Sequence, residues 1–284
     1  MEVEANMIPW ISLGELIERF EAILFDSDGV LVRWPSAVPG APEAIARLNS
    51  LRKPYFVLTN DASALPETRA ARYAELGLDI DASRIISPGL LLEDYFLNLN
   101  LVGSRCVVLG TEDSASYVRQ AGGEIVPFDE DYEVLVIGDQ EGFPFVEATA
   151  KTLSTLFRRI DEGRPPHLLV PNPDLMYPEG DGYCFASGAV AQLFEAAIAQ
   201  RYQDQLDLKF ARLGKPYPAM FEEAIRRCGT RDLVMIGDNP GTDVRGANQA
   251  GITSVLVELG VSPVDPSLLP ESDTPKYRIR SLAL

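Results

Sequence analysis

Apolar and polar positions alternate on two scales along this chain: short unbroken apolar runs, and longer stretches where apolar residues recur every third or fourth position. Ile23-Leu24-Phe25, Tyr55 to Leu58 and Leu233 to Ile236 are of the first kind and read as strands buried on both faces, the habit of parallel sheets. The stretches between them read as helices. Ser12-Leu13-Gly14-Glu15 has the form of a capping box, and Leu13, Leu16, Ile17 and Phe20 follow at helical spacing. Glu43 to Leu51 places Ala44, Ile45, Leu48 and Leu51 on one face; Ala64 to Leu76 is followed by Gly77 as a C-cap. Towards the end come helices over Phe221 to Cys228 and Val244 to Ala250, then strands over Ser254 to Leu259 and near Tyr277 to Ile279.

The middle third carries its own alternation. A helical pattern from Pro88 to Asn100 leads to a strand at Cys106 to Leu109, a helix at Ser114 to Ala121, a strand at Val134 to Ile137, a helix from Val146 to Ile160 and a strand at His167 to Val170. Ser87-Pro88-Gly89 marks a crossing, and glycine and proline crowd together again between Pro171 and Gly188, before a helix at Ala189 to Gln200. The pattern predicts an α/β protein in two parts: a parallel-sheet core from residues 1–86 and 190–284, and a large α/β unit inserted at residues 87–189.

Polar residues gather where the outer strands stop. Asp26 and Asp28 follow the first strand, Thr59 and Asn60 the second, and Asp238 and Asp243 the third. In an open parallel sheet these carboxyl ends share one rim, which is where ligands bind. Asp28-Gly29 alone is an ordinary turn dipeptide, so the weight lies on the gathering. Two carboxylates about 4 Å apart repel by about 4 kcal/mol at an effective dielectric of about 20. Four would not collect for structural reasons alone; a divalent cation would relieve the repulsion and seat a phosphate dianion. Thr59, Asn60 and the backbone around Gly29 offer neutral donors to phosphate oxygens, and Lys215, between Gly214 and Pro216, is the cation a loop could aim at this rim.

Composition narrows the chemistry. A formal charge of -17 over 284 residues argues against nucleic acid as a partner, while a small phosphorylated metabolite remains compatible through local charge. No apolar run approaches the roughly 20 residues a bilayer requires, and Met1 to Asn6 lacks a basic start, so a cytoplasmic protein without a membrane partner is expected. The three cysteines, Cys106, Cys184 and Cys228, are scattered, and His167 is the single histidine. Disulfides, zinc clusters and multi-histidine sites are therefore disfavoured, and any metal would be held by carboxylates, which favours Mg2+.

Asp26-Ser27-Asp28-Gly29-Val30, Thr59-Asn60, Gly214-Lys215-Pro216 and Gly237 to Asp243 together resemble, in order, the four motifs of the haloacid dehalogenase superfamily. The insertion between the second and third motifs, with Asn172-Pro173-Asp174 near its return, resembles the NagD-like phosphatase branch. The resemblance implies a Rossmann-like core, an inserted α/β cap domain that selects the substrate, homodimerisation, and Mg2+-dependent hydrolysis of a small soluble phosphomonoester such as a sugar phosphate or nucleotide. It further implies Asp26 as nucleophile and future phosphoaspartate, and Asp28 as general acid and base, with its main-chain carbonyl on the metal. Asp238 and Asp243 complete the metal set, while Thr59 and Lys215 hold the phosphoryl group. A phosphotransferase using the same intermediate, or a non-catalytic phosphometabolite sensor, are the alternatives. Asp61 departs from the branch, where asparagine is frequent, and is read as a helix cap. Asp139, in an echo of the third motif, is read as a turn residue of the inserted unit, and His167 as a packed or surface residue.

Overall fold

The computed structural model describes residues 8–180, 182–203, 206–258 and 268–284; Met1 to Asn6 and Leu259 lie outside them. The chain opens with α1 (Leu13–Arg19), where Ser12 Oγ accepts from the Glu15 N–H at 3.2 Å and Glu15 Oε2 accepts from the Ser12 N–H at 2.9 Å, the reciprocal cap that the sequence predicts. Strand β1 (Ala22–Phe25) follows, then a short hairpin of β2 (Val32–Arg33) and β3 (Ser36–Ala37), helix α2 (Ala41–Leu51), β4 (Tyr55–Leu58), α3 (Pro66–Glu75) and β5 (Ile85–Ile86). The inserted elements are α4 (Leu92–Asn98), β6 (Arg105–Leu109), α5 (Glu112–Gln120), β7 (Glu124–Ile125), β8 (Val134–Ile137), α6 (Phe145–Asp161), β9 (His167–Val170), β10 (Met176–Glu179), β11 (Gly182–Phe185), α7 (Ser187–Tyr202) and β12 (Ala211–Arg212). The chain then completes the first unit with α8 (Pro218–Cys228), β13 (Leu233–Gly237), α9 (Arg245–Ala250), β14 (Thr253–Val257) and β15 (Tyr277–Ile279).

The first unit is a six-stranded parallel sheet in the order β15-β14-β13-β1-β4-β5. Strand β1 sits inside it, paired to β13 and β4, and all four of its residues are buried, as the unbroken apolar run requires. Phe25, Val57, Val234, Ile236 and Val255 pack with Leu16, Ile45, Leu48 and Tyr73 into one core. Parallel pairing puts the ends of β1, β4 and β13 at the same edge, which is the placement the site depends on.

The second unit has its own parallel sheet, ordered β12-β9-β8-β6-β7. Side chains alternate between its faces: Val107, Leu109, Leu135, Ile137 and Leu168 enter one core, and Cys106, Val108, Val134, Val136 and Leu169 the other. This unit comprises residues 60–65 and 87–214, so it ends later than the residue 189 expected from the sequence. The reason is physical: α7 buries Val190, Ala191, Phe194 and Ile198 in the core that holds Leu156 and Leu168, and β12 pairs with β9. The glycine- and proline-rich stretch before α7 folds as the antiparallel hairpin β10–β11 rather than as a path out. Among the described residues, no helix is long and apolar enough to cross a membrane.

Candidate active site

At the carboxyl edge of the first sheet, Asp26 follows β1, Thr59 follows β4 and Asp238 follows β13. Asp243 stands five residues further, in a single wide helical turn over Pro240–Val244 that folds back over the strand end. The Asn239 side chain caps that turn by accepting from the Gly241 N–H at 2.9 Å, and the Asn239 N–H donates to Asp243 Oδ2 at 3.1 Å. Gly237 permits the fold-back: a Cβ there would lie 2.2 Å from the Asp243 Cβ.

Asp26, Asp238 and Asp243 each bring a carboxylate oxygen within 4.8 Å of the others, with Asp238 and Asp243 buried. Lys215 is 2% exposed and donates from Nζ to Asp26 Oδ1 at 2.6 Å, to Asp243 Oδ1 at 2.7 Å and to the Leu58 carbonyl at 2.8 Å. Burial, and then the Asp243 carboxylate, push the Asp26 pKa well above the usual carboxylate range, against the pull of Lys215. Burial works to lower the Lys215 pKa, but Asp243 and Asp26 outweigh it and hold the ammonium above its ordinary value. Three carboxylates against one ammonium leave two negative charges over. This donor set of hard oxygens suits a hard divalent cation in both charge and chemistry.

The remaining expected residues divide. Asp28 is exposed, on the turn closed by the Gly29 N–H donating to the Val32 carbonyl at 2.8 Å, and its carboxylate is not one of the metal-suited trio. Gly29 thus spends its N–H within the turn; its role is conformational, at φ +84°. Thr59 is buried, with its N–H on the Ile86 carbonyl at 3.1 Å. Asn60 belongs to the second unit, where its amide donates to both carboxylate oxygens of Asp174 at 3.1 Å. Asp174 in turn follows an Asn172 turn, its N–H on Asn172 Oδ1 at 2.9 Å.

Asp61 accepts from the Ser63 N–H at 2.7 Å, closing a turn two residues long ahead of α3 rather than capping the helix itself. Asp139 also makes a turn, accepting from the Glu141 N–H at 2.8 Å, and His167 is exposed at the start of β9. Ser27 went unnoticed in the sequence. Its N–H donates to Asp26 Oδ1 at 2.7 Å, and its position between two candidate catalytic aspartates is the signal that could have found it.

The comparisons with known proteins bear on the family. Residues 23–124 match the family described as Haloacid dehalogenase-like hydrolase, and residues 212–283 match a second family of the same kind. The dihydroxyacetone phosphatase of Corynebacterium glutamicum is 30% identical over 242 residues, which is 84% of this chain and 81% of that protein. The crystal structure of a possible sugar phosphatase of this superfamily from Cytophaga hutchinsonii shares 29% identity at a TM-score of 0.83, covering 98% of this chain and 99% of that one. A glycerol phosphate phosphatase from Mycobacterium tuberculosis, solved with magnesium, shares the fold at 24% identity and a TM-score of 0.79, covering 94% of this chain and 77% of that one. The chain belongs to the haloacid dehalogenase-like hydrolases, in the NagD-like branch of phosphatases, and is a phosphoric monoester hydrolase.

Proposed function

We propose that the protein hydrolyses a small phosphorylated sugar or polyol, with Asp26 as nucleophile and Mg2+ as cofactor. The observation that carries this reading is the buried arrangement of Lys215 between Asp26 and Asp243, with Asp238 beside them. A structural ion pair needs one carboxylate per ammonium; this site holds an excess of negative charge at the rim where parallel sheets bind ligands. The likeness to a dihydroxyacetone phosphatase and to a possible sugar phosphatase supports the substrate class.

Asp26, Asp238 and Asp243, with the main-chain carbonyl of Asp28, would hold the metal. When bound, the metal supplies positive charge that lets an anionic carboxylate meet an anionic phosphoryl group. In the first step an Asp26 carboxylate oxygen bonds to phosphorus, the bond to the ester oxygen breaks, and the Asp28 carboxyl gives its proton to the departing alkoxide. In the second, Asp28 takes a proton from water, whose oxygen bonds to phosphorus and frees Asp26. Lys215 holds Asp26 in place and offsets its charge, while Thr59 offers its hydroxyl to the phosphoryl oxygens.

The test is phosphate release from a panel of phosphomonoesters that includes dihydroxyacetone phosphate, glycerol phosphate, hexose phosphates and nucleotides, each with Mg2+ and with excess EDTA. Metal-dependent release that favours the small sugar and polyol esters is expected, with none from the Asp26→Asn variant. A folded protein that releases no phosphate from any ester would sink the reading and favour a phosphometabolite sensor.

A further inference from the structure

Tyr73 is fully buried in α3, yet it carries a phenol where an apolar core position would take phenylalanine. Its hydroxyl lies 2.6 Å from Ser27 Oγ, and Ser27 is itself fully buried between Asp26 and Asp28. One turn earlier on the same helix stands Arg69, 1% exposed, whose guanidinium hydrogen-bonds the phenol. Trp34, at the hairpin that follows Asp28, lays its ring over Tyr73, with centroids 6.5 Å apart and planes at 11°. Burying a guanidinium and a hydroxyl pair is costly, and apolar side chains of similar volume would fill this space without that cost.

Ser27 is a junction. Its N–H holds Asp26 Oδ1, and its carbonyl accepts from the N–H groups of Leu31 at 2.8 Å and Val32 at 3.0 Å, closing the turn that carries Asp28. Asp26 has a second anchor in Lys215, which keeps the nucleophile placed even if Ser27 shifts. Asp28 sits on the turn that the Ser27 carbonyl closes. The Asp28 charge opposes ionisation of the Tyr73 hydroxyl.

We infer that Tyr73, held by Arg69 and acting through Ser27, is a positioning residue for Asp28, so that this buried relay serves protonation of the leaving group more than attack on phosphorus. The inference rests on the phosphatase reading above. It has a chemical signature: an alkyl phosphate expels a strongly basic alkoxide that needs a proton from Asp28, whereas 4-nitrophenyl phosphate expels an anion stable without one.

The experiment compares glycerol phosphate with 4-nitrophenyl phosphate, in the full chain with Mg2+, for wild type, Tyr73→Phe, Ser27→Ala and Ser27→Thr. Tyr73→Phe and Ser27→Ala should lower kcat/KM on glycerol phosphate by about 10- to 100-fold and kcat/KM on the nitrophenyl ester by less than about 3-fold, because kcat/KM reports the first step and leaves out the water attack that Asp28 serves for both esters. Ser27→Thr keeps the hydroxyl and should recover most of the glycerol phosphate rate. Equal losses on both esters would mark the relay as merely structural and overturn the inference, as would no loss on either. Should Tyr73→Phe fail to fold, Ser27→Ala decides alone, because it differs from the wild type by one hydroxyl at one site. If glycerol phosphate is not turned over, the best alkyl ester of the panel takes its place; wild-type protein inactive on every ester would overturn the phosphatase reading together with this inference, whereas active wild type with ester-independent losses overturns the inference alone.

Discussion

Lys215 Nζ stands 2.6 Å from Asp26 Oδ1 although the two residues are 189 positions apart in the chain, and the same nitrogen reaches Asp243 and the Leu58 carbonyl at the end of β4. One ammonium thus ties together the ends of three strands. An ammonium offers three donors as a compact point, which matches three converging acceptors; a planar guanidinium would not fit a space where the lysine is 2% exposed. Lys215→Met should therefore lower kcat by about 100-fold or more, the scale seen when a preorganised charge-stabilising donor is removed, and Lys215→Arg should not restore it. Steady-state kinetics on the best ester checks this; either variant retaining more than about a tenth of wild-type turnover would exclude Lys215 from the machinery.

Much of that site was legible in the sequence because strand ends are legible. Unbroken apolar runs located β1, β4 and β13, and the polar residues that stop them had to share an edge once the sheet was parallel. Lys215 was found by its Gly-Lys-Pro setting, but its three acceptors come from distant parts of the chain that no local pattern records. Tyr73 and Arg69 lay hidden for a different reason: on an amphipathic helix a tyrosine reads as core and an arginine as surface, and here both are buried. The late return from the inserted unit was missed because β10 and β11 are short, exposed and punctuated by glycine, so they read as a loop, while α7 keeps one helical pattern whichever core it joins.

Gly237 and Asp243 make a second test of the same edge. An alanine methyl at residue 237 would sit 2.2 Å from the Asp243 Cβ, and the object it meets is the base of a side chain pinned by Lys215 and the Asn239 N–H, not a flexible tip. Gly237→Ala should displace the turn over Pro240–Val244, abolish Mg2+-dependent turnover and lower the melting temperature by several degrees, consistent with about 1–3 kcal/mol of overpacking strain. Wild-type turnover and stability in this variant would mean that the close approach is not needed.

The excess of carboxylates predicts opposite signs with and without metal. Added Mg2+ at about 100 times its dissociation constant should stabilise the wild type by about 2.7 kcal/mol, read as a rise in melting temperature over an EDTA control. Asp238→Asn removes one of three mutually repelling charges, so it should raise the melting temperature in EDTA and at the same time lose most of the Mg2+-induced rise. A full Mg2+ shift in Asp238→Asn would remove Asp238 from the metal set. A Mg2+ shift absent from the wild type would remove the site altogether.

Asp139 offers a pH test in the second unit. Burial first, with the Asp61 charge adding to it and the Glu141 and Gln140 N–H groups opposing, raises its pKa from the ordinary 3.8 to about 6. Because the folded state binds this proton more tightly than the unfolded chain, the group costs nothing below about pH 4 and destabilises progressively as pH rises to about 6, where the penalty levels off. The shift of about two units corresponds to about 3 kcal/mol at most. Asparagine mimics the neutral carboxyl and keeps an oxygen for the Glu141 N–H, so Asp139→Asn should melt several degrees above wild type at pH 7.5 and within about one degree of it at pH 4. A gain of equal size at both pH values would point to packing rather than charge. A loss at pH 7.5 would show that the ionised carboxylate is satisfied where it lies.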